Sequence, residues 1–434
     1  MRAAWLALLA SGCLALVGSD DGSPVQQPGP HDDHGVTVFL TGGERGALEP
    51  CGCATGQLGG LARRSTVLAL ERPDPAAALT LSCGGLLRDT SALDALTLQT
   101  AMQALGAMAY DAHVPSAREL ALGHEALEAG RRSGVPWLAA NVVSKDGDRR
   151  AATQPLFVKT VGDHIVSVIG LVLPEDPAPT EFVITDPLAA LEASRPTPGS
   201  TPVIVVSGAI ADVRALMSRA SSRWAETLVL VGDPQGGPTT RPLDDHIISS
   251  GQRGHYMLVA YAGHAHDAPR VIPLDESWPS DPSMGVLIAI HRQRIVMEGV
   301  LDDLYERTDP PGGLGYVGPE ACADCHAEAF AAHAGSRHSH AIDSLRPEER
   351  FLDPDCLACH STGFGLKTGF AGLDKTPDLA RVGCESCHGP GSAHVIEPFQ
   401  QKMIKDVRCT TCHDAENSPD FDRAEYWPKV RHGL

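Results

Sequence analysis

The stretch Cys384-Glu-Ser-Cys387-His388 has the form Cys-x-x-Cys-His, and the same form recurs at residues 322–326, 356–360 and 409–413. This is the attachment motif of c-type haem. On one helical turn, the cysteines at i and i+3 share a face and can form thioethers to the two vinyl groups, while the histidine at i+4 lies beneath the iron. The expected attachment residues are Cys322, Cys325, Cys356, Cys359, Cys384, Cys387, Cys409 and Cys412, with His326, His360, His388 and His413 as iron ligands.

Two other interpretations of these cysteines are a zinc ribbon and a redox dithiol. A zinc ribbon pairs two Cys-x-x-Cys motifs and needs no histidine after each of them. A redox dithiol occurs once, in a thioredoxin-like context. A fourfold repeat in which every copy is followed by histidine favours four covalently bound haem c groups.

The haem segment is expected to span residues 317–434, which leaves roughly 30 residues per haem, too few for an ordinary apolar core. The porphyrins must then form the core, close together, with short helices and loops around them. Residues 306–316 include the Pro- and Gly-rich run Thr308-Asp-Pro-Pro-Gly-Gly-Leu-Gly315, which predicts a linker between two domains.

Residues 36–305 have a different pattern, in which short β-branched apolar runs alternate with amphipathic stretches. This alternation predicts an α/β layered domain with a mostly parallel sheet. Strands are expected at 36–40, 79–82, 165–173, 203–206 and 228–231, and helices at 60–71, 93–108, 116–131 and 209–220. A hairpin turn is expected at 161–164, and a closing antiparallel set at 257–261, 286–291 and 295–301.

The amino-terminal residues 1–18 read as an export signal, since one positive charge precedes a short apolar stretch. Leu9-Ala-Ser-Gly-Cys13 is similar to a bacterial lipoprotein box, which would make Cys13 a lipid anchor; the alternative is ordinary signal cleavage near Gly18-Ser19. Residues 19–35 read as a polar tether. Covalent haem attachment takes place outside the cytoplasm, so we expect an exported protein in the periplasm or on the outer surface.

The chain has 434 residues and a net charge of −19, from 35 Lys and Arg against 54 Asp and Glu. A nucleic-acid-binding protein needs a basic face, so this balance argues against one. The 43% hydrophobic content excludes wholesale disorder.

The haem segment contains five further histidines that could supply sixth ligands to the irons: His333, His338, His340, His394 and His432. His394 follows His388 by only six residues, across Gly389-Pro390-Gly391. That loop is too short to wrap around one porphyrin. His394 is therefore expected to bind a neighbouring haem.

The carboxyl-terminal part resembles the tetrahaem cytochrome c-554 family. The matching stretches are Tyr316-Val-Gly-Pro-Glu-Ala-Cys322, Ser336-Arg-His338-Ser-His340-Ala341, Cys384-Glu-Ser-Cys-His-Gly-Pro-Gly391 through His394, and Lys429-Val-Arg-His432-Gly433. The resemblance implies stacked haems, electron transfer, three bis-histidine haems and one five-coordinate haem. It assigns His338, His394 and His432 as distal ligands, with His340 a weaker candidate for the first.

The amino-terminal part resembles a 5′-nucleotidase-type metallophosphatase. The matching stretches begin with Leu40-Thr-Gly-Gly-Glu-Arg-Gly-Ala-Leu-Glu-Pro50 through Gly59-Gly-Leu-Ala-Arg-Arg64. Met108-Ala-Tyr-Asp-Ala112 and Pro136-Trp-Leu-Ala-Ala-Asn141 follow in the same order as in that family. That resemblance implies an αββα sandwich with two metals that activate water. The family's ligands are replaced by Gly42-Gly43-Glu44, Gly84-Gly85, Ser116-Ala-Arg-Glu119 and Ser207-Gly208. We therefore expect a retained scaffold without its metals. Gly263-His-Ala-His-Asp267 looks like the family's Gly-His-x-His ligand motif. It lies too late in the sequence, after the strand expected at 257–261, and no partner ligands accompany it.

Cys51, Cys53 and Cys83 remain besides Cys13. One disulfide with a free thiol and a small thiolate metal or redox site are both open interpretations, while a bond between Cys51 and Cys53 would need strained geometry.

The expected fold is a metallophosphatase-like αββα sandwich followed by a mainly α-helical, loop-rich multi-haem cytochrome c domain. The expected function is electron transfer between redox partner proteins, with no catalytic residues assigned. One alternative is an oxidoreductase acting on a small nitrogen compound at the five-coordinate haem. The other is a metallophosphoesterase fused to a cytochrome.

Overall fold

The structure is a computed structural model that describes residues 35–50, 56–145, 153–232, 237–239, 246–265, 267–305, 308–347, 349–403, 407–414 and 417–432. Cys13, Cys51, Cys53 and His266 lie outside the described residues, as do residues 1–34. In the described part of the chain, no helix is both long enough and apolar enough to cross a membrane.

Strands and helices alternate along residues 36–305. The strands are β1 (Val36–Gly42), β2 (Leu79–Cys83), β3 (Ala112–Val114), β4 (Val142–Ser144), β5 (Phe157–Val161), β6 (His164–Val172), β7 (Phe182–Ile184), β8 (Thr201–Ser207), β9 (Leu228–Gly232), β10 (Ile247–Ser249), β11 (Tyr256–Ala262) and β12 (Arg270–Pro273). The helices are α1 (Leu61–Glu71), α2 (Ala92–Ala107), α3 (Ala117–Ala121), α4 (His124–Ser133), α5 (Pro187–Ala193), α6 (Ile210–Met217), α7 (Pro282–Glu298) and α8 (Asp302–Tyr305).

Two five-stranded sheets form the centre of this region. One has the order β12-β11-β1-β2-β3, in which β1, β2 and β3 are parallel and β11 is antiparallel to β1. The other has the order β10-β9-β8-β6-β5, with only β5 antiparallel. A separate ribbon pairs β4 with β7. The expected hairpin is present, because Val161 pairs with His164 between β5 and β6.

The side chains of β8 show why the sheets pack face to face. Val203 and Val205 lie in the apolar core between the two sheets, whereas Ile204 and Val206 lie in the core between their sheet and the outer helices. A strand buried on both faces is apolar at every position. A third core joins the other sheet to α1, α2, α4 and α7. The layers therefore run α-β-β-α, which confirms the predicted sandwich.

Two details of the secondary structure differ from the sequence prediction. The expected strands at 286–291 and 295–301 are wrong, because residues 282–298 form the single helix α7. Asp281 caps its start and Gly299 ends it in the left-handed conformation, and its buried residues recur with helical spacing. The helix expected at 116–131 is two helices, α3 and α4, because Gly123 between them has φ +73°.

Beyond residue 308 the structure consists of short helices and turns, as expected. The helices are α9 (Glu320–Ala323), α10 (Ala327–Ala334), α11 (Pro354–His360), α12 (Cys384–His388), α13 (Ser392–Ile396) and α14 (Arg423–Tyr426). Gly35–Leu434 form one compact unit. One apolar cluster joins Leu96, Ile295 and Leu304 of the sandwich side to Leu357 and Phe370 of the helical segment.

Candidate haem-binding site

Each Cys-x-x-Cys-His motif folds into one turn of helix. The second motif ends α11 at His360, and the third is α12. In the first and fourth motifs, the backbone N–H of His326 and of His413 donates to the carbonyl of the first cysteine, 2.9 Å away in both cases. The histidine therefore lies one turn beyond the first cysteine, on the same side of the helix.

All four motifs face one large cavity of about 2660 Å³. An ordinary small-ligand pocket measures roughly 300–1,000 Å³, so this space fits several large groups. Few apolar side chains fill the helical segment: among its described residues the buried ones are Ile342, Leu345, Leu357, Phe370, Ala371 and Leu379. Haem groups fit this cavity for two reasons. The motifs could attach them, and their porphyrin rings would supply the apolar core that the side chains do not provide.

Three motif histidines each face a second histidine across this cavity. The ring centroids are 6.1 Å apart for His326 and His394, 6.2 Å for His413 and His338, and 6.0 Å for His388 and His432. A metal with an imidazole nitrogen about 2 Å away on either side would hold the two ring centroids roughly 6–6.5 Å apart. The three separations therefore fit an iron between each pair of rings.

The fourth motif histidine, His360, differs. No second imidazole among the described residues lies opposite it at a comparable distance. Its Nδ1 donates to the carbonyl of Ala341 at 2.7 Å and lies 3.3 Å from Ser344 Oγ. The arrangement brings together three pairs of histidines and one single histidine.

Backbone carbonyls fix the orientation of several of these rings. A carbonyl only accepts, so Nδ1–H donates from His360 to Ala341, from His394 to Gln401 at 2.6 Å, and from His432 to Val430 at 3.0 Å. The lone pair is then on Nε2, the nitrogen left free for a metal. Such contacts set both the tautomer and the plane of a ligating imidazole.

Burial also favours the neutral form of two of the paired imidazoles. It lowers the pKa of His338, with further lowering from His413 and His333, and it lowers the pKa of His413. A neutral imidazole is the form that binds iron. Their electrostatic environment therefore suits ligation.

The two remaining histidines of the segment are placed differently. The Nε2–H of His333 donates to the carbonyl of Val382 at 2.8 Å, so its metal-binding nitrogen is already occupied. His340 is exposed and lies 3.5 Å from the Asp343 carboxylate. Of the two candidates near the start of the segment, the structure places His338 opposite a motif histidine and not His340.

Cysteines of different motifs lie next to each other. The Cys322 thiol donates to Cys384 Sγ, and this contact lowers the pKa of Cys384 to about 7. The Cys359 thiol donates to Cys412 Sγ in the same way. Cys387 is close enough to Cys409 for their charges to interact. The first motif is thus adjacent to the third, the third to the fourth, and the fourth to the second.

Glu385 is an important residue that the sequence analysis did not single out. It lies inside the third motif and is 3% exposed. Its carboxylate accepts the N–H of Val317 (3.0 and 3.1 Å), of Gly318 (2.9 Å) and of Gly391 (2.7 Å). It therefore ties the start of the helical segment to the loop that leads to His394. The Gly-Pro-Gly run after the motif was the only signal of such a loop.

The carboxyl edge of the parallel strands, where the sequence resemblance to metallophosphatases would place metals, is closely packed. A Cβ on Gly42 or on Gly232 would lie 2.2 or 2.0 Å from the Cys83 carbonyl oxygen, and the Gly43 N–H donates to Gly84 O at 2.9 Å. The cavity there is about 10 Å³, about the space of one water, and is lined by Gly85, Leu87, Ser116, Arg118, Glu175, Ser207, Gly208 and Gly232.

Buried polar pairs lie beside this edge. Arg64 forms an ion pair with Glu44 at 2.7 Å, and His113 Nε2 lies 2.9 Å from a carboxylate oxygen of Glu119. The described residues contain no group of three or more His, Cys, Asp or Glu side chains arranged to hold a metal ion.

The other candidate residues of the sandwich are separated from this edge or only partly described. His264 follows β11 next to Gly35, at the end of β1 opposite Gly42. Cys83 is buried with a free thiol, whose pKa burial raises. Any partner at Cys51 or Cys53 lies outside the described residues.

Comparison with known proteins agrees with this geometry. Residues 321–389 match the family described as cytochrome c554 and c-prime. Cytochrome c-554 of Nitrosomonas europaea is 36% identical over 24% of this chain and 60% of its own length. The C-type polyheme cytochrome OmcB of Geobacter sulfurreducens is 27% identical over 29% of this chain and 13% of its own length. The chain thus spans less than two thirds of either relative.

Solved structures are similar over the sandwich. The 5′-nucleotidase precursor of Thermus thermophilus has a TM-score of 0.48 and 17% identity, covering 66% of this chain and 62% of that one. The calcineurin-like phosphoesterase YfkN of Bacillus subtilis has a TM-score of 0.47 and 13% identity, covering 61% and 98%. The carboxyl-terminal part of this chain is therefore similar to multihaem cytochromes of the c554 type, which supports covalently bound haem c, and an α/β sandwich precedes it.

Proposed function

We propose that this chain is an exported electron-transfer protein with four haem c groups, three held by two histidines each and one by His360 alone. The observation that carries the proposal is the opposition of three histidine pairs at 6.0–6.2 Å around one cavity. Haem bound there would supply a one-electron Fe(III)/Fe(II) couple. The protein's own part is to attach, orient and enclose each group.

The adjacency of the cysteines supports a route for the electrons. The contacts join the first motif to the third, the third to the fourth and the fourth to the second. Electrons would then enter and leave near the first and second motifs. The donor and acceptor are redox partner proteins.

Electron paramagnetic resonance of the oxidised holoprotein tests the ligation. We expect three low-spin haems and one high-spin haem, with four haems per chain by mass spectrometry. Replacing His394 by Ala should convert one low-spin haem to high-spin, because its ring faces His326. The matched control is His333→Ala, whose Nε2 is bonded to a carbonyl and should leave the spectrum unchanged. Four low-spin haems in the wild type would contradict the proposal.

A second candidate function rests on His360, which has no imidazole opposite it among the described residues. An iron ligated on one side can bind a small molecule, so reduction of a small nitrogen compound is the runner-up. Turnover of hydroxylamine or nitrite by the reduced protein distinguishes the two. No turnover favours the electron carrier.

Export and anchoring are also part of the proposal. Covalent haem attachment and the apolar start of the sequence support export, and Cys13 is the proposed lipid-anchor residue. Cell fractionation tests both: wild-type protein should remain with the membrane, whereas Cys13→Ser should be released. Residues 19–35 are proposed as the tether. The sandwich is proposed to serve docking or positioning without metals.

A further inference from the structure

The sandwich forms one wall of the haem cavity. Leu48, Glu49, Arg88 and Arg292, all from residues 36–305, line the same space as the four motifs. The two parts also share the apolar cluster that contains Leu357 of α11. The second motif is therefore packed against the sandwich.

Charged contacts are concentrated at this junction. Arg88 of the sandwich contacts Asp355, the residue before Cys356, at 2.5 Å. Arg350, just before α11, donates to Cys356 Sγ and contacts Asp353, the residue that caps α11, at 3.0 Å. The guanidinium of Arg350 thus touches the first attachment cysteine of the second motif.

Glu49 of the sandwich lies close to this guanidinium and is hydrogen-bonded to Arg292. Its two carboxylate oxygens each accept a hydrogen bond from Arg292 at 2.6 Å, and one lies 3.9 Å from Arg350 Nη1. Arg350 also donates to the carbonyl of Pro50 at 3.4 Å. The side chains of Glu49, Arg292 and Arg350 are only 24%, 16% and 20% exposed. At that burial, water screens their charges less than it screens a surface pair.

We infer that the charges of Glu49 on the sandwich and Arg350 beside α11 shift, in opposite directions, the reduction potential of the haem at Cys356, Cys359 and His360. The oxidised haem carries one more positive charge than the reduced haem. A nearby carboxylate therefore stabilises the oxidised form and lowers the potential, and a nearby guanidinium raises it. Charge near a haem and hydrogen bonds around it are general determinants of its potential.

Glu49 and Arg350 are not haem ligands in this proposal; they act on the haem through their electric charge. The proposal gives the contact between the sandwich and this motif a functional role. It rests on the proposed function, because it requires a haem attached at the second motif.

The test uses a signal that isolates this haem. If His360 is the only axial histidine of its iron, that haem alone is high-spin, so the high-spin resonance can be followed during a redox titration of the holoprotein. Glu49→Gln should move the high-spin midpoint to higher potential and leave the low-spin midpoints in place. Arg350→Gln should move it to lower potential. Opposite shifts from the two variants cannot come from a general loosening of the fold.

The matched control is Glu298→Gln. Glu298 lies on α7 and pairs with Arg294 at 2.6 Å, but its side chain is half-exposed and does not line the cavity. It should shift no midpoint. An unchanged high-spin midpoint in both test variants, or equal shifts at all four haems, would overturn the inference. A protein with fewer than four haems, or without a high-spin signal, would instead refute the proposed function.

Discussion

Replacing Glu385 by Gln should destabilise the haem segment, because the buried carboxylate accepts from three backbone amides. A hydrogen bond to a charged group contributes about 1.5–3 kcal/mol, and a buried donor left without an acceptor costs about 1–3 kcal/mol. Gln keeps one acceptor oxygen and turns an NH2 group towards at least one of the amides. We therefore expect a loss of about 2–4 kcal/mol in the free energy of unfolding.

The same substitution should affect ligation at a distance. Gly391, one of the three donors, precedes His394 by three residues in the loop that brings this imidazole opposite His326. Once the loop is released, we expect a second high-spin haem signal. Denaturant unfolding of the holoprotein, followed by circular dichroism and paramagnetic resonance, measures both effects.

Glu320→Gln is the control for this experiment. Glu320 is in the same segment, is 53% exposed and lies 3.6 Å from Arg381, so its pair is worth about 1 kcal/mol or less. If Glu385→Gln unfolds at the same denaturant concentration as the control and keeps a single high-spin haem, the anchoring role of the carboxylate is refuted.

Three further predictions concern the sandwich. Glu44→Ala should lower the free energy of unfolding by about 3–5 kcal/mol, because it leaves Arg64 as a buried unpaired charge. The double variant Glu44→Leu with Arg64→Met should lower it by less, and thermal unfolding measures both. Burial lowers the pKa of His291 to about 4, and the positive charges of Arg294 and Arg292 contribute to this. The neutral imidazole therefore stabilises the fold above the unfolded pKa of about 6.5. This stability is lost as the pH falls from about 6.5 towards 4. His291→Asn should flatten this slope, which is at most about 1.4 kcal/mol per pH unit in denaturant titrations. Elemental analysis of the purified protein should find iron without stoichiometric zinc or manganese, and two equivalents of either metal with nucleotide hydrolysis would contradict the proposed loss of the metal site.

The attachment motifs could be identified from the sequence because their chemistry is local. One turn of helix sets the relation between two cysteines and a histidine, so the spacing alone is informative. The short Gly-Pro-Gly loop also limited where His394 could reach, and the structure places it opposite His326 of another motif. The assignment of His338 and His432 came from resemblance, because no local rule connects them to His413 and His388.

The error at α7 has a physical explanation. Residues such as Val286 and Ile295 are β-branched, and short runs of them are ambiguous between strand and helix. The spacing of Met284, Ile288, His291 and Ile295 fits one face of a helix, and it is this face that packs. Tertiary packing therefore decided between two conformations that local propensity left nearly equal.

The linear order of residues was enough to predict the alternating α/β pattern and the four haem motifs, since each depends on neighbours a few positions apart. The pairing of distant histidines, the anchoring by Glu385 and the contact of Glu49 with Arg350 depend on residues that meet only when the chain closes on itself. Glu49 and Arg350 are separated by some 300 positions, and no periodicity or motif spans such a distance. Only the packing of the sandwich against α11 brings these two charges to the same haem site.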